Sequence, residues 1–236
     1  MEHARQGRGI EARRLRPMVD VAMTVAYLLQ MAPGKTGNPL HELVGVVFVA
    51  LFVVHHMLNR GWLRRLGRQR SLQARTMLVS DVLLTVCVAG VAVTGVLMSR
   101  FAVPGLAVPA VAHVVRPLHG ACAYAGLMVV SLHVGLHVRA IRGYMGVRAG
   151  ETSPWVNRAL LAATAVLGTW AFLHLGVAGK LSGRPSFPDG MTPLALQLVW
   201  HVALAMPFVV AGALFGETMR KRGNSSTAKE GEGTQS

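Results

Sequence analysis

Six apolar stretches run through this chain, at about residues 17–33, 39–59, 77–98, 117–138, 157–178 and 193–216. Each is close to the ~20 residues that cross a bilayer as a helix. Inside lipid every backbone N–H and C=O must find its partner within the segment, so a crossing stretch is constrained to be helical. Composition agrees: 52% of residues are hydrophobic and 14% are charged, against roughly 25% charged in a soluble domain. The expected fold is all-α: a polytopic membrane helical bundle with six transmembrane helices.

The net charge of +14 raises the question of nucleic acid, but the placement of the charges answers it. Basic residues cluster before the first stretch (Arg5, Arg8, Arg13, Arg14, Arg16) and between the second and third (Arg60, Arg64, Arg65, Arg68, Arg70, Arg75). They cluster again between the fourth and fifth (Arg139, Arg142, Arg148, Arg158) and after the sixth (Arg220, Lys221, Arg222, Lys229). Only Lys35, Arg100, Arg116, Lys180 and Arg184 fall on the opposite side. Positive charge is retained on the cytoplasmic side of membrane proteins. The expectation is a multi-pass protein of the inner (cytoplasmic) cell membrane, both termini cytoplasmic, with lipid and not nucleic acid around it. The segment QMAPGKTGNPLHE after the first stretch lacks an A-x-A cleavage pattern, so that stretch reads as a retained span and not a signal peptide. Cys87 and Cys122 both lie inside apolar stretches, with no CxxCH for covalent haem attachment; both read as small packing residues.

Two of the stretches carry the same pattern: Pro-Leu-His, thirteen residues, then a second His. One runs from Pro39 to His55, the other from Pro117 to His133. Fourteen residues of helix rise ~21 Å in nearly four whole turns, so the two histidines share a face at opposite depths. The preceding stretches also match, DVAMTVAYLL from Asp20 and DVLLTVCVAG from Asp81. The first four spans therefore read as two copies of one hairpin. Pro39 and Pro117 suit the first turn of a helix, and Asp20 and Asp81 read as helix-start carboxylates favoured by the dipole, with proton handling as the lesser alternative. A third hairpin follows, whose TPLAL places Ala195 where the other copies have histidine. The expected organisation is a basic tail (1–16), a four-helix core (17–142), a third hairpin (143–222) and a disordered cytoplasmic tail (223–236).

Intramembrane histidine is costly and marks function. Four in two matched registers point to bis-histidine ligation of two haems b, His41 with His119 toward the outer surface and His55 with His133 toward the inner one. Gly45 and Gly126 lie on the same faces and offer either room for a flat ring or ordinary close helix packing. His56 and His137 adjoin the inner pair. Each can replace its neighbour as ligand, bond a haem propionate, or line a proton or quinone path. Arg116, three residues from His119, is the leading propionate partner; Arg100, Arg139 and Arg60 are others, or serve as topology signal and lipid headgroup contacts, the reading favoured for Arg60 in its arginine-rich loop. His113 and His174 read as interfacial. His201 reads as a packed polar residue or part of a quinone pocket.

The segments TGNPLHELVG, HHMLNRGW, TGVLMS and LHGACAYAGLMVVSLHVGLHVR together resemble the flavinylation-associated cytochrome family. More broadly they resemble the cytochrome b561 and hydrogenase-cytochrome-b group of four-helix dihaem proteins, over about residues 13–142. The resemblance implies haem ligands at His41, His55, His119 and His133, and transfer of electrons from quinol or another donor toward an extracytoplasmic flavin-bearing partner.

Three classes of function fit the residues. The first is a haem b membrane cytochrome that carries electrons across the membrane as a subunit serving a redox partner. The second is a self-contained oxidoreductase linked to the quinone pool. The third is a transition-metal transporter, which is the poorest fit: such a site usually needs carboxylates or sulfur at the histidines' depth, and Glu42 is the one acidic residue beside the quartet.

Overall fold

The structure, a computed structural model, describes residues 2–61, 71–146, 153–184 and 189–232, without the side chains of 2–14 and 223–232. Arg64, Arg65, Arg68, Arg70 and Arg148, the side chains of Arg5, Arg8, Arg13, Arg14 and Lys229, and the last four residues of the expected tail lie outside it. Every regular element among the described residues is helical. They are α1 (Glu2–Gln30), α2 (Pro33–Asn59), α3 (Leu72–Met98), α4 (Ala112–Leu136), α5 (Val138–Met145), α6 (Pro154–His174), α7 (Val177–Leu181) and α8 (Leu194–Glu232).

Five of these are long and apolar enough to cross a membrane: α2, α3, α4 (counted from Pro109), α6 and the Leu194–Arg222 part of α8. The first expected span is not among them. The apolar part of α1, residues 17–30, rises only ~21 Å, short of the ~30 Å hydrocarbon core. Large apolar side chains along α2 and α3 (Leu43, Val46, Val53, Val79, Val82, Val86, Val93) are exposed, as expected of faces that meet lipid.

Local chemistry sets most helix ends. Gly37, at φ 69°, breaks α2 into a short entry turn and the main helix, so Pro39 stands at the start of the main segment as expected. Ser71 caps α3 by accepting the N–H of Ala74 at 3.2 Å. Gly146 ends α5 in the left-handed region. Two expectations need correction. Pro117 is inside α4, because the helix begins at Ala112, directly after two short 3-10 turns at Pro104–Leu106 and Pro109–Val111. Asp20 and Asp81 are not at helix starts either: α1 begins at Glu2 and α3 at Leu72, so both carboxylates lie well within their helices. At the other end α8 stays helical to Glu232, past the Gly223 boundary.

The helices assemble as three packed pairs. α1 lies along α2, α3 along α4, and α6 along α8, with α8 also laid against α4. Small residues allow the closest approaches. At the α4–α8 crossing Gly135 faces the backbone of Val209 and Ala213, while Gly212 faces that of Leu132 and Leu136. Gly168 of α6 meets Pro207 of α8 in the same way. Between the α1–α2 pair and the α3–α4 pair the middle of the bundle is apolar. Tyr27 and Phe48 meet edge to face at 5.4 Å, Phe48 packs with Ala26 and Val88, and the Tyr27 hydroxyl donates to the Ala123 carbonyl at 2.7 Å. Above and below this layer lie the histidines.

Candidate haem sites

At one end of the bundle, α2 and α4 bring His41 and His119 together with ring centroids 6.2 Å apart, inclined at 63°. Two imidazoles bound to one metal, each at a metal–nitrogen distance of about 2 Å, leave their centroids roughly 6 Å apart. The spacing therefore admits one metal between the rings. The His119 Nδ1–H donates to the Thr94 hydroxyl of α3 at 2.9 Å, and that hydroxyl donates onward to the Gly90 carbonyl at 2.5 Å. Nε2 of His119 is thereby the nitrogen left for a ligand bond. Gly95, the next residue of α3, comes within 3.6 Å of the His119 ring, measured from where its Cβ would stand. His41 Nδ1 is buried without a hydrogen-bond partner. An unpaired buried nitrogen is costly, and nothing backs this ring as Thr94 backs that of His119.

Glu42 fixes this end. Its carboxylate accepts from the Ser99 hydroxyl (2.8 Å) and from the backbone N–H groups of Arg100 (2.9 Å), Phe101 (2.8 Å) and Ala102 (2.9 Å). One side chain on α2, next to His41, thus holds the loop between α3 and α4. Arg116 is exposed close by on α4.

At the other end the two hairpins repeat one interaction. The His55 Nδ1–H donates to Asp20 at 2.7 Å, and the His133 Nδ1–H donates to Asp81 at 3.0 Å. The match extends further: Thr24 donates to the Asp20 carbonyl and Thr85 to the Asp81 carbonyl, both at 2.8 Å. Ser80 adds a second contact to His133 Nδ1, at 3.3 Å. A histidine whose Nδ1–H is held by a carboxylate presents Nε2 to a metal as a fixed, strengthened donor. His137 caps α4, with its ring 4.6 Å from that of His133, and lies within electrostatic range of Asp81, Asp20 and His55. His56 turns to the Phe52 carbonyl (3.0 Å) and packs against the Phe52 ring, centroids 4.1 Å apart and planes tilted by 44°.

Neither glycine opens onto free space. A Cβ at Gly45 would stand 2.7 Å from the Gln30 amide nitrogen, and one at Gly126 would stand 2.6 Å from the Tyr27 hydroxyl. Both therefore serve close side-chain packing here. Among the described residues no three His, Cys, Asp or Glu side chains converge as a metal-ion cage. Haem needs only two protein ligands, so this bears on an ion-transport site and not on haem.

A family model described as prokaryotic cytochrome b561 matches residues 12–145, more than half of the chain. The chain belongs to the prokaryotic cytochrome b561 family. It is accordingly a multi-pass membrane cytochrome that binds haem b and transfers electrons. No curated protein and no solved structure matches it significantly. The matched residues run from within α1 to the end of α5, and hence take in all four histidines of the repeat and both aspartates behind them.

Five residues of this cytochrome make contacts that their own segments do not signal. Asp20 and Asp81 stand out in the repeat, but a carboxylate at the edge of an apolar run reads as a helix start before it reads as a histidine partner. Thr94 sits in a TG pair that reads as a helix end. Tyr124 and Lys180 form a separate buried network. His201 Nδ1–H donates to the Gln197 carbonyl (2.7 Å), Tyr124 O–H donates to His201 Nε2 (3.1 Å), and the Lys180 ammonium donates to the Tyr124 oxygen (2.8 Å). His201 is thus a packed polar residue with both ring nitrogens satisfied. His113 is exposed and bonds the Ala110 carbonyl at 3.1 Å, and His174 is exposed against Trp200.

Proposed function

We propose that the chain holds two haems b, one near each membrane face, and passes single electrons between them across the membrane. His41 and His119 ligate the outer haem, with Arg116 beside its propionates. His55 and His133 ligate the inner haem, and His137 is the reserve ligand. The haem supplies the redox chemistry; the protein supplies ligation, spacing and a dry interior. The observation that carries the reading is the repeated hairpin. It is supported by the 6.2 Å between the His41 and His119 rings and by the carboxylate behind each of His55 and His133.

The arginine distribution supports placing both termini in the cytoplasm, with α1 acting as a sixth span beside α2. In this topology electrons come from the quinol pool or another donor and leave to an extracytoplasmic acceptor of the flavoprotein kind. The four-helix core spans residues 17–142, and the α6–α8 hairpin braces it through α4.

The reading in which the isolated chain is itself a quinone-linked oxidoreductase has one observation in its favour. An open apolar patch lies on one stretch of chain at the end of α2, among Phe52, Val53, His56, Met57 and Arg60. Sustained quinol oxidation by the isolated chain with a diffusible acceptor would select this reading; inertness without an added partner would select the conduit.

The test of the central reading is a pyridine haemochrome assay of purified protein from a haem-sufficient host. Two haems b per chain are expected. One or none would overturn the dihaem assignment.

A further inference from the structure

The two histidine levels are backed by different chemistry. At the His55/His133 end each imidazole donates its Nδ1–H to a carboxylate, at 2.7 Å to Asp20 and 3.0 Å to Asp81. At the His41/His119 end no ring bonds a carboxylate. His119 donates to a neutral hydroxyl, Thr94, at 2.9 Å, and His41 Nδ1 has no partner. The carboxylate at that end, Glu42, accepts from the Ser99 hydroxyl and three backbone N–H groups and keeps its charge beside His41.

A carboxylate accepting the Nδ1–H draws that proton toward itself and pushes electron density onto Nε2. The imidazole becomes a stronger donor, which favours the ferric over the ferrous state of a metal it ligates. A hydroxyl does this far less. The negative charges of Asp20 and Asp81 act in the same direction through space. The hydrogen-bond effect falls on one end of the bundle only; through space, two carboxylates act at that end and one, Glu42 beside His41, at the other.

We infer that Asp20 and Asp81 are positioning residues that make the His55/His133 site the more reducing of the two, so that electrons run downhill from that end to the His41/His119 end. The step is a one-electron exchange: the site backed by aspartate is oxidised from ferrous to ferric, and the site backed by threonine is reduced from ferric to ferrous. No proton need move, because each Nδ1–H stays in its hydrogen bond. The inference rests on the two-haem reading and adds to it an order of potentials and a direction of flow.

The test is a spectroelectrochemical titration of the α-band on the purified full chain, with haem content counted in the same samples. The wild type should titrate in two separate one-electron waves. Asp20→Asn and Asp81→Asn keep a side-chain oxygen for the Nδ1–H and remove the charge. Each should raise the lower wave by about a tenfold change in its reduction equilibrium, which is about 59 mV for one electron, and leave the upper wave in place. Asp20→Glu and Asp81→Glu keep the charge and should keep the lower wave within a small fraction of that shift. Thr94→Val should move the upper wave alone. An immobile lower wave in both asparagine variants, or movement of the upper wave in its place, would overturn the inference. Fewer than two haems in the wild type would instead overturn the dihaem reading, and the haem count reveals this before any potential is measured. If an asparagine variant loses a haem, the other aspartate's variant and the two glutamate variants still decide the case. A lower wave that follows charge supports the inference, and one that does not move with charge overturns it.

Discussion

Replacing Glu42 with alanine removes the acceptor that ties the α3–α4 loop to α2, and its cost can be worked from the partners. Ser99 is 4% exposed, so its hydroxyl would be left buried without its charged acceptor. A hydrogen bond to a charged group is worth about 1.5–3 kcal/mol. Arg100, Phe101 and Ala102 are exposed, so water replaces the carboxylate at their N–H groups. Each of those bonds is therefore worth only the low end of the ordinary range, about 0.5 kcal/mol or less. The sum is about 3 kcal/mol, or roughly 6–12 °C in melting temperature for a chain of this size. Glu42→Gln keeps one oxygen and should lose about half as much. The effect should also be local, since Glu42 adjoins His41 on the same turn of α2. On heating in detergent, the low-spin signal assigned to the His41/His119 site should disappear well before the other. Melting of Glu42→Ala within 1 °C of wild type, with both signals lost together, would refute the claim that this carboxylate is the clamp of the outer end.

Four further outcomes follow from the same geometry. Tyr124→Phe leaves His201 Nε2 buried without its donor and should cost about 1–3 kcal/mol, read as a lower denaturation midpoint; an unchanged midpoint would mean that the network contributes nothing. Gly212→Leu drives a side chain into the Leu132 carbonyl and the Leu136 N–H across the α4–α8 crossing, and should expose the hairpin to limited proteolysis at a rate several-fold above wild type. Asp189, between α7 and α8, is held down from 3.8 to about 2 by the Thr192 hydroxyl and by the N–H groups of Thr192 and Met191. A depressed carboxyl stabilises its turn fully above about 3.8 and loses that contribution as pH falls through about 2. Amide exchange at Met191 and Thr192 should stay protected at pH 4 in the wild type and lose protection at that pH in Asp189→Ala. Reporter fusions at the two termini should both report the cytoplasm; opposite sides would show that α1 does not cross.

The residues that could be read from the sequence were those whose signal lies along a single helix. His41 and His55, and His119 and His133, declare themselves because fourteen residues return to the same helical face, and because apolar neighbours make a solvated role untenable. The matching Asp and Thr of the two hairpins were also visible as a repeat. Their role was not, because the bonds from Asp20 to His55 and from Asp81 to His133 join different helices across 35 and 52 residues. The end of an apolar run is also not the end of a helix: α1 and α3 continue through their aspartates into polar sequence, which moved both carboxylates from helix start to helix interior. Glu42 reads in the sequence only as an acidic neighbour, since its four donors belong to the α3 end and a loop whose shape no local pattern encodes. The Lys180–Tyr124–His201 chain spans three separate elements, and each member looks ordinary in its own segment. Gly45 and Gly126 show the converse limit: a glycine reports close approach but not what approaches, and here the neighbours are Gln30 and Tyr27.

The assignment of ligands to sites is tested most directly by electron paramagnetic resonance of the oxidised protein with single histidines removed. His119→Ala should abolish one low-spin signal and leave the other at wild-type intensity. His133→Ala should shift or partly reduce the second signal, with His137 able to step in, and His133→Ala combined with His137→Ala should remove it entirely. A His119→Ala protein that kept both low-spin signals would contradict the pairing of His41 with His119, and with it the two-level arrangement on which the account stands.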